Sequence, residues 1–308
     1  MNPKNLRSFM KVVEFGTFNR AAGQLRITQP ALSRRISSLE DEVKTKLFDR
    51  HGHGVTLTDA GIVLRDHAEG LLRHLEQVQC ELTSRASTPS GSLSVGLPAP
   101  FRSIVSSTLI PAFCLEHPQV KLHIFENTPL LIFNLLQAGS LELGVISGEE
   151  PPSGLTCDPF LTESLFLVGA TKHGLQLDCP VSAARLPTLP LVQAPFPSAV
   201  RTLLARYFSG GEALSYNVEV DSYHLMIDIA ASGHSFTILP FSAIREHVQS
   251  GQICAAPIAE LQMHWVVARP VERQISVAAR RFENSLRRLT YEEVQSGRWL
   301  SASYHDAQ

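Results

Sequence analysis

The sequence predicts a mixed α+β and α/β multidomain chain: a small helical head closed by a hairpin, one long connecting helix, and a two-lobed α/β body. Three observations predict it. In the first 58 positions apolar residues recur at helical spacing in three short runs and then alternate as in a strand. A proline-free run with a four-three apolar repeat follows, and beyond residue 90 strand-like and helix-like runs alternate.

The chain has 308 residues, 44% of them apolar and 18% charged, enough for two or more packed domains. No apolar run reaches the ~18 residues of a membrane span, and the start, Met1 to Arg7, lacks the apolar stretch of a secretory signal. A cytoplasmic chain with no membrane partner is expected. The five cysteines (Cys80, Cys114, Cys157, Cys179, Cys254) form no CxxC pair, which argues against a disulfide scaffold or zinc site. No metal and no cofactor are expected.

Net charge is −2, but it is unevenly placed. Residues 1–58 hold ten Lys+Arg against five Asp+Glu, whereas the remainder holds seventeen against twenty-four. A basic head on an acidic body suggests that the head alone meets a polyanion.

In the head, Leu6, Phe9, Val12, Val13 and Phe15 form a helical stripe that stops at Gly16. A short second helix runs over residues 18–25, where Ala21 and Ala22 allow close approach. After a turn at 26–28, Thr28 is placed to cap a third helix with Pro30 in its first turn. Leu32, Ile36, Leu39 and Val43 must face the core, so Gln29, Pro30, Ser33, Arg34 and Ser37 face outward. Leu47 and Phe48, a Gly-rich tip at residues 51–54, and Val55-Thr56-Leu57 read as a hairpin.

From Thr58, an expected N-cap, to about residue 85 the pattern is helical, a rod of about 42 Å at about 1.5 Å per residue. Leu64, Ala68, Leu71, Leu75, Val78 and Leu82 form its apolar seam, best buried against a second copy, although packing on its own domain is the alternative. The Ser/Thr/Pro/Gly stretch at 84–91 reads as a hinge. Strand-like runs then lie at 93–97, 120–125, 141–146, 165–170, 189–193, 216–220, 236–239 and 263–268, with helical patterns at 103–116, 130–138, 199–208 and 223–231. Such alternation predicts parallel sheets covered by helices.

The runs Thr17-Phe18-Asn19-Arg20-Ala21-Ala22, Thr28-Gln29-Pro30-Ala31-Leu32-Ser33-Arg34-Arg35-Ile36, Leu39-Glu40, Leu47-Phe48-Asp49-Arg50 and Leu57-Thr58-Asp59-Ala60-Gly61 together resemble the LysR-type transcriptional regulators. The likeness continues through 91–96, 109–111, 117–118, 139–142 and 238–240, and the stretches 59–81 and 160–169 look faintly like the nitrogen-assimilation-control branch. The resemblance implies a winged helix-turn-helix DNA-binding domain at 1–58, a linker helix and hinge at 59–90, and an effector-binding domain at 91–308. That domain would resemble periplasmic solute-binding proteins, with lobe I at about 91–167 and 266–308 and lobe II at about 168–265.

Carried onto this sequence, the family pattern makes the third helix the major-groove reader, with Gln29, Ser33 and Arg34 at base edges and Pro30 against a thymine methyl. Arg can grip guanine, and Gln adenine, with two hydrogen bonds. Thr28 and Arg35 are placed for phosphates. At the wing the family's paired arginines are reduced to Arg50, with His53 at the second position, so minor-groove attraction should be weaker and rise below about pH 6.5.

In the body the resemblance implies a small anionic or aromatic metabolite in the cleft between the lobes. Its candidate contacts are Ala99, Pro100, Phe101 and Arg102 after the first strand, Thr128 before the next helix, and Phe196, Ser198 and Ser222, the last with Asp221 beside it, across the cleft. Ala99 stands where relatives often carry Ser or Thr. The expected partners are a pseudo-palindromic duplex, an effector, a second copy as a homodimer extending to a homotetramer, and RNA polymerase.

Two other functions compete. A redox-responsive regulator would use Cys157 and Cys179, yet neither sits beside clustered basic residues that would lower its pKa. A serine hydrolase is more remote: Gly233-His234-Ser235-Phe236-Thr237 lacks the last glycine that a nucleophile elbow needs, so no enzyme is expected.

Overall fold

Gly16 lies at φ 67° and donates its N–H to the Val12 carbonyl, closing α1 (Pro3–Phe15) where the stripe of apolar residues stops. In this computed structural model, which describes residues 1–51, 54–83, 89–148, 153–211, 213–271 and 274–306, α2 (Phe18–Gln24) begins at Thr17, whose hydroxyl accepts the Arg20 N–H. α3 (Gln29–Val43) follows, and its Leu32, Ile36 and Leu39 interlock with Phe9, Val12, Ala21 and Phe48 in a buried cluster. Thr28 occupies the N-cap of α3, but its hydroxyl makes no capping bond, contrary to expectation. A cap side chain accepts from the second or third helical N–H, and Pro30 at the second position has none.

β1 (Phe48–His51) and β2 (Gly54–Leu57) pair antiparallel, with Phe48 opposite Leu57. Glu40, only 5% exposed, sets the approach to this wing by accepting the Leu47 N–H at 3.0 Å and the Lys46 ammonium at 2.8 Å. α4 (Asp59–Thr83) starts at Thr58, whose hydroxyl accepts the Gly61 N–H at 3.0 Å and donates to the Lys46 carbonyl at 2.7 Å. Gly61 has to be glycine, since a Cβ there would stand 2.1 Å from the Leu47 carbonyl oxygen.

Part of the seam on α4 packs within the head, the alternative left open for it. Ala68 is fully buried in the head's own cluster, and Leu64, Leu71 and Leu72 pack against the same cluster. A four-three spacing identifies the apolar face of a helix, not what covers it. Of the other expected seam residues, Leu75 is 40% exposed, and the side chains of Val78 and Leu82 lie outside the described residues, as does the hinge over 84–88. α4 also touches the body: Ser140 Oγ donates to the Asp66 carbonyl at 3.3 Å, and a Cβ on Gly70 would meet the Gly139 oxygen at 2.5 Å.

The body opens with β3 (Gly91–Pro98). After a 3-10 turn at Ala99–Phe101, the region expected as one helix is broken into α5 (Arg102–Ile104), a π turn (Val105–Leu109) and α6 (Ile110–Glu116). β4 (Val120–Asn127), α7 (Pro129–Gln137) and β5 (Leu143–Ser147) complete the first lobe's unit, in which β3 pairs parallel with both β4 and β5. β6 (Leu155–Gly169) then leads to the second lobe, built from β7 (Leu191–Gln193), α8 (Ala199–Tyr207), β8 (Tyr216–Glu219), α9 (Tyr223–Ala231), β9 (Thr237–Pro240) and α10 (Phe241–Gln249). β10 (Cys254–Pro270), α11 (Val277–Gln295) and β11 (Ala302–Tyr304) return to the first lobe.

Among the described residues the expected parallel pairing holds for β3–β4, β3–β5 and β7–β8. The large sheet runs β11-β6-β10-β5-β3-β4, and its two longest strands, β6 and β10, pair antiparallel with a register break between Pro257 and Gln262. Both continue through the expected lobe boundary. A single buried cluster, drawing on residues from Leu93 to Trp299, underlies both lobes. Glu163, at the middle of β6, is fully buried and accepts four hydrogen bonds: Trp265 Nε1 at 2.7 Å, Trp299 Nε1 at 2.9 Å, and the Ser242 hydroxyl and N–H at 2.8 and 3.1 Å. Burial pushes its carboxyl upward while those donors pull it back. It thereby ties β6, β10, the start of α10 and the C-terminal segment at one point.

Candidate nucleic-acid interface and ligand cleft

On α3 the buried edge forces the opposite edge outward: Thr28, Gln29, Pro30 and Arg34 are exposed, and Ser33 and Arg35 are half-buried. Arg35 Nη1 donates to Ser8 Oγ on α1 at 3.3 Å, which fixes its side chain along the head surface. Arg50 reaches from the wing to α3. Its Nη2 lies 3.4 Å from Ser33 Oγ, and its guanidinium sits 4.6 Å from the centre of the Phe18 ring. Helix and wing are therefore joined by a cation next to the exposed Arg34. His53, the other expected wing contact, lies outside the described residues.

This edge presents a guanidinium, a carboxamide, a hydroxyl and a proline ring on one convex helix, the shape and chemistry that a major groove accepts. Glu40 does not join it. Burial opposes ionisation of Glu40, but the Lys46 ammonium and the Leu47 and Phe48 N–H groups outweigh burial and hold its carboxyl below the usual range.

In the body a cleft of about 1430 Å³ opens where strands β3, β4, β5, β7 and β8 end and helices α7, α8 and α9 begin. Strand ends and helix N-termini are where α/β folds bind ligands. Ala99, Pro100, Thr128, Phe196 and Ser198 line it, five of the eight expected contacts. Thr128 caps α7, accepting the Leu131 N–H at 3.4 Å, whereas Ser198 starts α8 without a capping bond from its side chain. Phe196 is 57% exposed.

The other three expected contacts lie elsewhere. The 3-10 turn after β3 drives Phe101 into the core, fully buried 6.0 Å from the Phe160 ring, 5.1 Å from Trp265 and 5.3 Å from Trp299. The same turn carries Arg102 off the cleft lining to the flank facing α10, where its charge is among the influences that hold His247 low, behind burial and His224. Ser222 caps α9, accepting the Leu225 N–H, and its neighbours Asp221 and Tyr223 line the cleft in its place.

Apart from Asp221, beside the expected Ser222, the charged lining was not foreseen in the sequence. Glu126, Asp221 and Glu260 face the cleft together with Arg206, and Tyr223 adds a phenol pushed up to about 12 by burial and the nearby Glu163 carboxyl. Glu260 is held in place by the Ala183 N–H and the Ser182 hydroxyl, both at 2.9 Å, which lower its carboxyl. Glu126 stands just before the N-cap of α7, as Asp221 does before that of α9, and that position is the signal that could have found it. His264 also lines the cleft, with its Nδ1 3.0 Å from Thr162 Oγ1, and Thr162 in turn contacts His305 of the C-terminal segment at 2.8 Å.

The competing chemistries gain nothing here. Burial and the Asp158 carboxylate push the Cys157 thiol up, away from the reactive thiolate. Ser235 is buried at 8% exposure beyond the turn that ends α9, where Gly233 takes φ 84°.

Comparison with known proteins extends this geometry. Residues 3–62 match the family model of the bacterial regulatory helix-turn-helix protein, lysR family, and residues 86–290 match the LysR substrate binding domain. The chain belongs to the LysR family. This LysR-type DNA-binding transcriptional regulator is 34% identical over 251 residues to the nitrogen assimilation regulatory protein nac of Klebsiella aerogenes, covering 80% of each chain. It is 32% identical over 250 residues to the protein of the same name from Escherichia coli K12, again covering 80% of each. The nitrogen-assimilation branch noted in the sequence is thus the one these relatives represent.

Among solved structures, this regulator superposes on full-length CbnR complexed with its target DNA at a TM-score of 0.65 and 21% identity, covering 94% of this chain and 100% of that one. A full-length OxyR variant from Pseudomonas aeruginosa gives a TM-score of 0.68 at 23% identity, covering 93% of this chain and 95% of that one. Both likenesses bear on the fold. No helix among the described residues is long and apolar enough to cross a membrane.

Proposed function

We propose that this LysR-family regulator reads its operator with the exposed edge of α3 and changes the spacing of its heads when a small molecule enters the cleft. Gln29, Ser33 and Arg34 take base edges, Pro30 a thymine methyl, and Thr28, Arg35, Arg50 and His53 the backbone and minor groove. The observation that carries the reading is the division of α3: Leu32, Ile36 and Leu39 have no exposure, while Gln29, Pro30 and Arg34 are exposed beside the wing cation Arg50. Two heads related by a dimer axis would need a pseudo-palindrome, and effector domains pairing in turn would give a tetramer.

The cleft favours a ligand with an apolar or aromatic body, because Phe133, Phe196, Leu203 and Met263 share its lining. An anionic group would have Arg206 and the uncapped start of α8 to meet, against three carboxylates. The ligand acts by preferring one arrangement of the lobes. Domain limits of 1–58, 59–90 and 91–308 follow from the same reading, and the protein works as a switch, not as an enzyme, in the cytoplasm alongside RNA polymerase.

Selection of duplexes from a random pool tests the reading. The parent should recover a two-fold symmetric site. Arg34→Ala should lose about 1–3 kcal/mol and accept several bases at one position of each half-site, whereas Arg35→Ala should weaken all sequences alike. Unchanged base preference in Arg34→Ala would remove α3 from its assigned place.

A further inference from the structure

α11, the longest helix of the body, buries Ala278, Ala279, Phe282, Leu286 and Leu289 and turns the opposite edge to solvent. That outer edge carries Arg280, Arg281 and Arg288, all exposed, with Asn284 between them and the half-exposed Tyr291 one turn beyond Arg288 on the helical net. None of the three arginines has an ion-pair or hydrogen-bond partner among the described residues. The other arginines around this helix do: Arg287 pairs with Glu283 at 2.9 Å, and Arg245 and Arg298 both reach Glu293 at 2.7 Å. The contrast matters because the chain beyond residue 58 carries twenty-four acids against seventeen Lys+Arg. Partners were abundant, and even Glu292, four residues after Arg288, makes no ion pair with it.

The position of this edge points to its occupant. The α11 cap residue Ser276 donates its N–H to Glu142 at 3.4 Å, two residues from Ser140, which holds the Asp66 carbonyl of α4. α4 in turn leaves directly from the wing at Thr58. From Thr58 to Asp66 is about 12 Å along the helix, at about 1.5 Å per residue. The basic end of α11 therefore starts beside the rod that leads back to the DNA-reading head. Arg280 to Arg288 spans a further ~12 Å, the length of three to four base pairs at about 3.4 Å each.

We propose that the outer edge of α11 is a second polyanion surface, on which duplex DNA flanking the operator lies by phosphate contact with Arg280, Arg281 and Arg288. It adds affinity without base preference and lets the acidic body hold a bent or wrapped flank.

The test uses the full chain and the best duplex recovered by selection, in two lengths: trimmed to the head-protected sequence, or extended by about 15 base pairs on each side. The parent should bind the long duplex more tightly than the short one. Arg280→Gln/Arg281→Gln/Arg288→Gln should bind the short duplex like the parent but lose about tenfold on the long one. Its salt slope there should flatten by about two to three per protomer. The corresponding triple lysine variant, which keeps the charge, should keep the advantage of the flank. The proposal is overturned if flanks give the parent nothing, if the glutamine variant keeps the flank advantage, or if it weakens equally on both lengths. Unchanged DNA binding with lost activation in a purified transcription reaction would assign the edge to the polymerase, and would equally overturn it.

Discussion

The head and the body solve different problems with the same kind of residue pattern. In the head, one helix both builds the core and presents the reading edge, so Leu32, Ile36 and Leu39 on one side fix Gln29 and Arg34 on the other. In the body, the cleft is assembled from the ends of five strands, from three helix starts and from β10, so no single element makes the site. A surface made by one helix can be read from spacing. A surface made where distant segments meet depends on turns, and a single turn after β3 decides whether Phe101 or Ala99 faces the ligand.

That turn is the first place to probe, and it carries the strongest consequence. Phe101→Ala should cost the body about 3–5 kcal/mol in urea unfolding, because it empties a site packed by Phe160, Trp265 and Trp299. Phe196→Ala, at 57% exposure, should leave stability within about 0.5 kcal/mol and change only ligand response. Equal costs for the two would mean that the turn is wrongly placed.

Next comes the junction between head and rod. Gly61→Ala should destabilise the head by about 2 kcal/mol or more, since the added methyl meets the Leu47 carbonyl instead of a movable side chain. Gly23→Ala, on α2 with nothing within 4 Å of the added methyl, should be neutral or slightly stabilising. A circular-dichroism melt of each variant separates the two.

These contrasts show what was legible. The helices of the head, the wing and the Thr58 start of α4 were readable from period and caps, because each depends on neighbours within a few positions. The apolar seam on α4 was readable as a face, but its spacing did not say that Ala68 and Leu71 would find partners in the same head. In the body the strand positions were readable, yet the continuity of β6 and β10 through both lobes was not. Their apolar runs are interrupted by Pro159 and by the bulge after Pro257, which the ladder bridges by tertiary pairing. Glu126 and Glu260 escaped notice because one looks like any residue before a helix start and the other sits inside a long strand, and only the fold brings them to one cleft.

The mildest consequence concerns Glu40. Its folded-state carboxyl lies below the ordinary 4.5 value, so the stability it contributes is full above about pH 4.5 and is lost as pH falls through the lowered value. Head stability should therefore decline less between about pH 6 and pH 3.5 in Glu40→Gln than in the parent, measured as the shift in urea midpoint. A decline of the same size in both would show that the bond to the Leu47 N–H is not the one that matters.

If the exposed edge of α3 lies in the major groove, Arg34 stands against a guanine, and methylation of guanine N7 in the selected operator puts that placement to the proof. The methyl group blocks the position a guanidinium would bind. One guanine per half-site is expected whose methylation abolishes binding by the parent and has no effect on Arg34→Ala. Interference that persists undiminished in Arg34→Ala would mean that another group holds that guanine and that α3 is not the reader.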